Sequence, residues 1–103
     1  MDSINHSTAL RIAQARIHEL GASSGDELEI LSMETQEIKL GWVFFYNSAE
    51  YIRTGNPSSA LAGNGPILVL RNGEIVELPT AVSWQEAVRK MSQPATERLS
   101  SLM

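Results

Sequence analysis

Apolar residues recur at helical spacing through residues 7–20. Leu10, Ala13, Ile17 and Leu20 fall on one stripe, with Ala9 and Ile12 beside it. Arg11, Arg16, His18 and Glu19 lie largely on the other side. The pattern predicts an amphipathic helix with Ser7 as N-cap and Gly21 as the C′ stop. Residues 22–26, Ala-Ser-Ser-Gly-Asp, read as a loop. The period then changes from helical to alternating. Residues 27–30 read as a first strand and 33–37 as a turn. Ile38, Leu40, Trp42, Phe44 and Tyr46 form one side of a long second strand, and Glu37, Lys39, Gly41, Val43 and Phe45 form the other. One strongly apolar side predicts a sheet covered on one face.

The next stretch, 47–65, is less regular. A short helical turn is expected from 47–51, a turn at Thr54-Gly55-Asn56-Pro57, and a second short helix over 58–62 ended by Gly63-Asn64-Gly65. Residues 66–70 form a continuous apolar run, as in a buried strand. Asn72-Gly73 predicts a hairpin into a return strand over 75–78, which Pro79 ends. Ser83-Trp84-Gln85-Glu86 is a capping box opening a helix to about Met91, with Ala87, Val88 and Met91 as its apolar stripe. Residues 94–103 carry Leu99, Leu102 and Met103 on one side and form either a further short helix or a frayed tail. The sum is one α+β domain over 1–103. It has a largely antiparallel four-stranded sheet, with an N-terminal and a C-terminal helix packed on one face.

Composition narrows the function. The 103 residues are 43% hydrophobic, enough for one core without cross-links. Eight Lys+Arg against twelve Asp+Glu is not the basic footprint of a nucleic-acid binder. With no Cys there is no disulfide frame, thiolate catalysis or Cys-ligated zinc. The longest apolar runs, 42–46 and 66–70, are far short of a membrane span. The first residues lack both a basic start and an apolar stretch, so no signal peptide is read and a cytoplasmic location is expected.

Candidate chemistry is thin. The two histidines, His6 and His18, form no zinc-hydrolase motif. Ser23, His18 and Asp26 could be drawn as a triad, but no Gly-x-Ser-x-Gly elbow supports it. Gly63-Asn64-Gly65-Pro66 precedes a strand and has no Lys nearby, so it reads as a tight turn and not a phosphate loop. Trp42, Phe44, Phe45, Tyr46 and Tyr51 lack the basic neighbours of a base-stacking platform and read as core. No catalytic residue, metal or cofactor is expected. The asymmetric feature is acidic: Asp26, Glu27, Glu29, Glu34 and Glu37 occur with no base among them. On a strand edge and hairpin tip, such a run would steer a cationic partner toward it.

Several stretches in order carry a resemblance: 42–48 (Trp-Val-Phe-Phe-Tyr-Asn-Ser), 51–55 (Tyr-Ile-Arg-Thr-Gly), 61–69 (Leu-Ala-Gly-Asn-Gly-Pro-Ile-Leu-Val), 72–75 (Asn-Gly-Glu-Ile) and 78–81 (Leu-Pro-Thr-Ala). Together they resemble the immunity protein 35 family, or YrhB domain, over about 41–91. Pro79 stands where the family often has Gly before Thr-Ala, and the last helix lacks a frequent terminal aromatic. The resemblance implies a small bacterial α+β protein, encoded beside polymorphic toxins, that binds a cognate toxin and blocks its active site. It also implies a chaperone-like binder of unfolded chains as the alternative. Under this reading Asp26, Glu27, Glu29, Glu34 and Glu37 are the toxin-facing candidates. Trp42, Phe44, Tyr46 and Tyr51 hold the core, and Gly63, Asn64 and Pro66 set the loop into the third strand.

Overall fold

The computed structural model describes residues 3–60 and 65–91. Gly63 and Asn64 lie outside these residues, as does the tail at 94–103. The first helix, α1 (His6–Ser24), starts earlier and ends later than the apolar stripe suggests. Asn5, not Ser7, is the N-cap, its side chain accepting from the Thr8 N–H at 2.9 Å. Gly25, in the left-handed conformation, ends it. Gly21 is therefore an interior helical residue and is buried. A Cβ there would meet the Asp26 carbonyl oxygen at 2.5 Å, so its role is close approach of the returning chain. Asn5→Ala is expected to cost about 1 kcal/mol in urea unfolding, because one N-terminal donor loses its partner. No change in the midpoint would mean water replaces the cap fully.

Four strands form an antiparallel sheet in the order β2 (Gln36–Ile38), β3 (Gly41–Phe44), β5 (Ile67–Leu70), β6 (Ile75–Glu77). Two others, β1 (Leu28–Ile30) and β4 (Tyr46–Ser48), form a separate two-stranded antiparallel ribbon. The single long strand expected over 38–46 is thus three strands. It turns at Lys39–Leu40, where Ile38 faces Gly41, and leaves the sheet at Phe45. The turn explains why the alternation misleads. Ile38 lies directly opposite Gly41 and so shares the face of Val43, not that of Trp42.

Both faces of the sheet are covered. Trp42, Phe44, Ile67 and Val69 pack against Ala9, Ala13 and Ile17 of α1. Val43 and Leu68 pack with Leu78 and Ala87 on the other side, where α3 (Trp84–Met91) lies. The two terminal helices therefore flank opposite faces, correcting the expectation of one covered face. Small residues on α1 let it approach closely. The apolar residues of both parities in β3 and β5 are what a two-sided burial requires.

The β5–β6 hairpin closes through the Gly73 N–H donating to the Leu70 carbonyl at 2.8 Å. Gly73 is left-handed and Asn72 is not, so this is a three-residue loop with a glycine bulge. Gly65 precedes β5 for reasons of space. A Cβ there would meet the Leu78 carbonyl oxygen at 2.0 Å. Pro66 beside it accepts from the Leu78 N–H at 3.0 Å. Ser83 caps α3, accepting from the Glu86 N–H at 3.2 Å. The Glu86 carboxylate instead takes the Arg89 guanidinium, whose hydrogen bond holds that carboxyl below the usual range.

Candidate functional site

The acidic residues are positioned by the exit from α1. The Asp26 N–H donates to the Gly21 carbonyl at 2.9 Å, folding the chain back over the last helical turn. Asp26 and Glu27 thereby stand where β1 begins. The Glu27 carbonyl accepts from the Ala49 N–H at 2.8 Å, which brings α2 (Ala49–Thr54) alongside. Ser48 caps α2, its Oγ accepting from the Tyr51 N–H at 3.0 Å and donating to the Ser59 carbonyl at 2.6 Å. The Ser59 hydroxyl donates to the Glu50 carboxylate. The result is an open cavity of about 490 Å³ lined by Asp26, Glu27, Glu50, Arg53 and three serines. Three acidic residues and one arginine line it.

A second groove, about 370 Å³, runs between α1 and β1. Ile17, Leu28 and Ile30 supply its apolar part, and Gln14, His18 and Glu29 its polar rim. Beyond it, residues Ser32–Glu34 make a 3-10 turn held by the Glu34 N–H donating to the Leu31 carbonyl at 2.9 Å. Met33 at its tip is 99% exposed, and Glu34 is exposed beside it.

The five acids expected to act together are not equivalent. Asp26, Glu27, Glu29 and Glu34 follow one another around the ribbon and the turn after it, and are exposed. Glu37 belongs to β2 in the other sheet. Its carboxylate lies 3.2 Å from Arg71 Nη2. Arg71 also donates to the Ile38 carbonyl at 2.8 Å, and its guanidinium carbon stands 4.5 Å over the Trp42 ring centroid. This arginine ties the β2–β3 turn to the β5–β6 turn, with the exposed Glu37 carboxylate as one of its partners. Trp42 and Phe44 are core residues, while Tyr46 and Tyr51 are half-buried. The Trp42 Nε1–H is buried with no hydrogen-bond partner among the described residues.

Glu50, Arg53 and Met33 are the surface residues that sequence reasoning missed. Glu50 and Arg53 reach the cavity only because α2 docks beside the α1–β1 turn, and no local pattern announces that contact. Met33 had a signal, a large apolar residue in a stretch reading as a turn, but turn composition outweighed it.

The arrangement offers little for catalysis. Among the described residues no hydrogen bond joins Ser23, His18 and Asp26. His6 stacks near Phe44, with ring centroids 6.2 Å apart. No group of three or more metal-ligating side chains occurs among the described residues. No described helix is long and apolar enough to cross a membrane. The face is polar, acidic and held in place by backbone hydrogen bonds.

Comparison with known proteins then separates a family from a mere resemblance. The family model described as Immunity protein 35 matches residues 7–91. The chain belongs to the immunity protein 35 family. The match includes α1, both sheets and α3, so the acidic ribbon lies inside the family's domain. A curated relative is "Uncharacterized protein YrhB" of Escherichia coli (strain K12), 38% identical over 47 residues. That alignment covers 45% of this chain and 50% of the relative, so it spans about half of each. No solved structure matches the chain significantly.

Proposed function

We propose that this immunity protein 35 family member neutralises a cognate bacterial toxin by direct, stoichiometric, non-covalent binding, occluding the toxin's active site. The observation that carries the reading is the family match over residues 7–91. The acidic ribbon supports the choice of surface. Asp26, Glu27, Glu29 and Glu34 are exposed, and Arg53 is the cation lining the cavity beside them. A surface of one sign attracts a partner of the other and speeds encounter. Occlusion needs no chemistry from the inhibitor, only an interface of about 800 Å² per partner.

The direct experiment mixes the purified protein with the toxin encoded beside its gene. A one-to-one complex and loss of toxicity are expected, and no complex at micromolar concentration overturns the proposal. Reversing Glu27 and Glu29 to Lys should weaken that complex at least tenfold by calorimetry. Stability should stay within about 1 kcal/mol, since both residues are exposed. Glu37 is a poor choice for the same test because a lysine there would face Arg71. Unchanged affinity after reversal moves the interface away from the ribbon. The chaperone-like alternative calls for a contiguous apolar patch. The surface that reading would use is the groove of about 380 Å³ beside α3, lined by Val76, Leu78, Pro79, Val82 and Met91.

A further inference from the structure

β1 pairs with β4 along one side, with Leu28 opposite Ser48, Glu29 opposite Asn47 and Ile30 opposite Tyr46. The ladder continues at both ends. The Ala49 N–H donates to the Glu27 carbonyl and the Leu31 N–H to the Phe45 carbonyl, both at 2.8 Å. In an antiparallel pair, residues that bond across alternate with residues that do not. Glu27, Glu29 and Leu31 therefore direct their backbone groups at β4. The N–H and C=O of Leu28 and Ile30 point the other way.

Among the described residues no third strand lies on that side, since the ribbon there has two strands. The groove between α1 and β1 runs there instead, with Leu28, Ile30 and Ile17 in its wall. Leu28 and Ile30 are half-buried against the α1-side core, and Glu29 between them is exposed at the groove's rim. Edges of this kind are commonly blunted by shortness, charge, Lys, Pro, a bulge or a covering helix, and β1 is three residues long with one charge, Glu29, and with α1 across the groove. Leu28–Ile30 carries neither Lys nor Pro.

We infer that the outer edge of β1 receives an extended segment of the toxin as an added strand, its alternate side chains apolar toward the α1 groove and basic toward Glu29. Main-chain hydrogen bonds supply the attachment and the alternating side chains supply selectivity. The inference rests on the toxin-binding reading and specifies how that surface works. Charge disfavours a second copy of the chain in two registers, and in the third, Ile30 against its own equivalent, Leu28 would meet Ser32, which has left the strand for the 3-10 turn. Two β1 edges paired so that Leu28 and Ile30 all bond would set Glu29 directly opposite its equivalent. Pairing Leu28 with its own equivalent would set Glu27 opposite Glu29. Like charges directly across a strand pair repel, whereas Lys or Arg in the added strand would be attracted.

Hydrogen exchange of the unmodified protein tests this residue by residue. In the free protein the Leu28 and Ile30 amides should exchange rapidly, and those of Glu29 and Leu31 slowly. Saturation with the toxin encoded beside the gene should slow Leu28 and Ile30 at least tenfold. A chain assembled with N-methyl isoleucine at position 30 keeps the side chain and removes only the outward donor. It should melt as the parent does and bind at least tenfold more weakly. A complex in which both amides exchange as before overturns strand addition and leaves toxin binding standing. No complex overturns both. The same protection produced by unfolded carboxymethylated lactalbumin, or by self-association without toxin, overturns the basic toxin segment as occupant.

Discussion

Gly41→Ala should lower the unfolding free energy by about 3 kcal/mol or more, placing it in the severe tail of single substitutions. A Cβ at Gly41 would stand 2.0 Å from the Val69 carbonyl oxygen and 3.0 Å from the Leu70 Cα. Both are backbone atoms, so no rotamer change relieves the contact. Relief requires β3 to move away from β5. That pairing holds Gly41 opposite Leu70, Trp42 opposite Val69, Val43 opposite Leu68 and Phe44 opposite Ile67. Moving it disturbs both cores at once, because Trp42 and Phe44 serve the α1 side and Val43 the α3 side. Urea unfolding measures the loss. A cost under about 1 kcal/mol would show that the strand end opens without disturbing the pairs behind it.

Phe44→Ala should cost about 3–5 kcal/mol, the usual range for removing a buried ring. Phe44 is fully buried opposite Ile67 and packs in the cluster that includes Ala9 and Ala13. Those alanines are already at their smallest, so neither can extend into the space left behind. Collapse would need α1 to shift bodily toward the sheet. The Arg16 guanidinium, hydrogen-bonded to Glu77 on β6 and to Glu19, helps hold α1 in register against such movement. Phe44→Leu should be much milder, about 1.5 kcal/mol or less, because most of the volume remains. Equal losses for Ala and Leu would indicate that ring shape, and not filled volume, sets the stability at this position.

The contrast between these residues and the acidic ribbon separates the fold from the proposed binding surface. Gly41, Phe44 and Arg71 sit in or across the four-stranded sheet. Asp26, Glu27 and Glu29 surround a ribbon outside that sheet, attached through Phe45 and through the end of α1. Changes to ribbon charges can therefore alter binding with little effect on the core. The exception is Glu37. Glu37 is exposed as the other acids are, but its carboxylate also pairs with Arg71, distant in the chain.

Reading the strands from alternation succeeded where a strand stayed straight and failed where it turned. The 67–77 hairpin was legible because Asn72-Gly73 sits between two apolar runs. The segment over 38–46 was not, because a two-residue turn at Lys39–Leu40 leaves the alternation of residue types unbroken while reversing the chain. Similarly, Gly21 looked like a helix stop. Only the returning backbone at Asp26 shows that it is a close-approach residue within the helix.

By itself the sequence determined the α1 stripe, the apolar β5 run, the Ser83 cap and the lack of cysteine chemistry. These follow from residue type and short-range spacing, which act within a turn or a strand. Tertiary structure alone decided that α1 and α3 cover opposite faces, that Glu50 joins Asp26 and Glu27, and that one edge of β1 is unpaired among the described residues. Each of those depends on which distant segments meet, and that is set by the packing of both sheet faces together and not by any local preference.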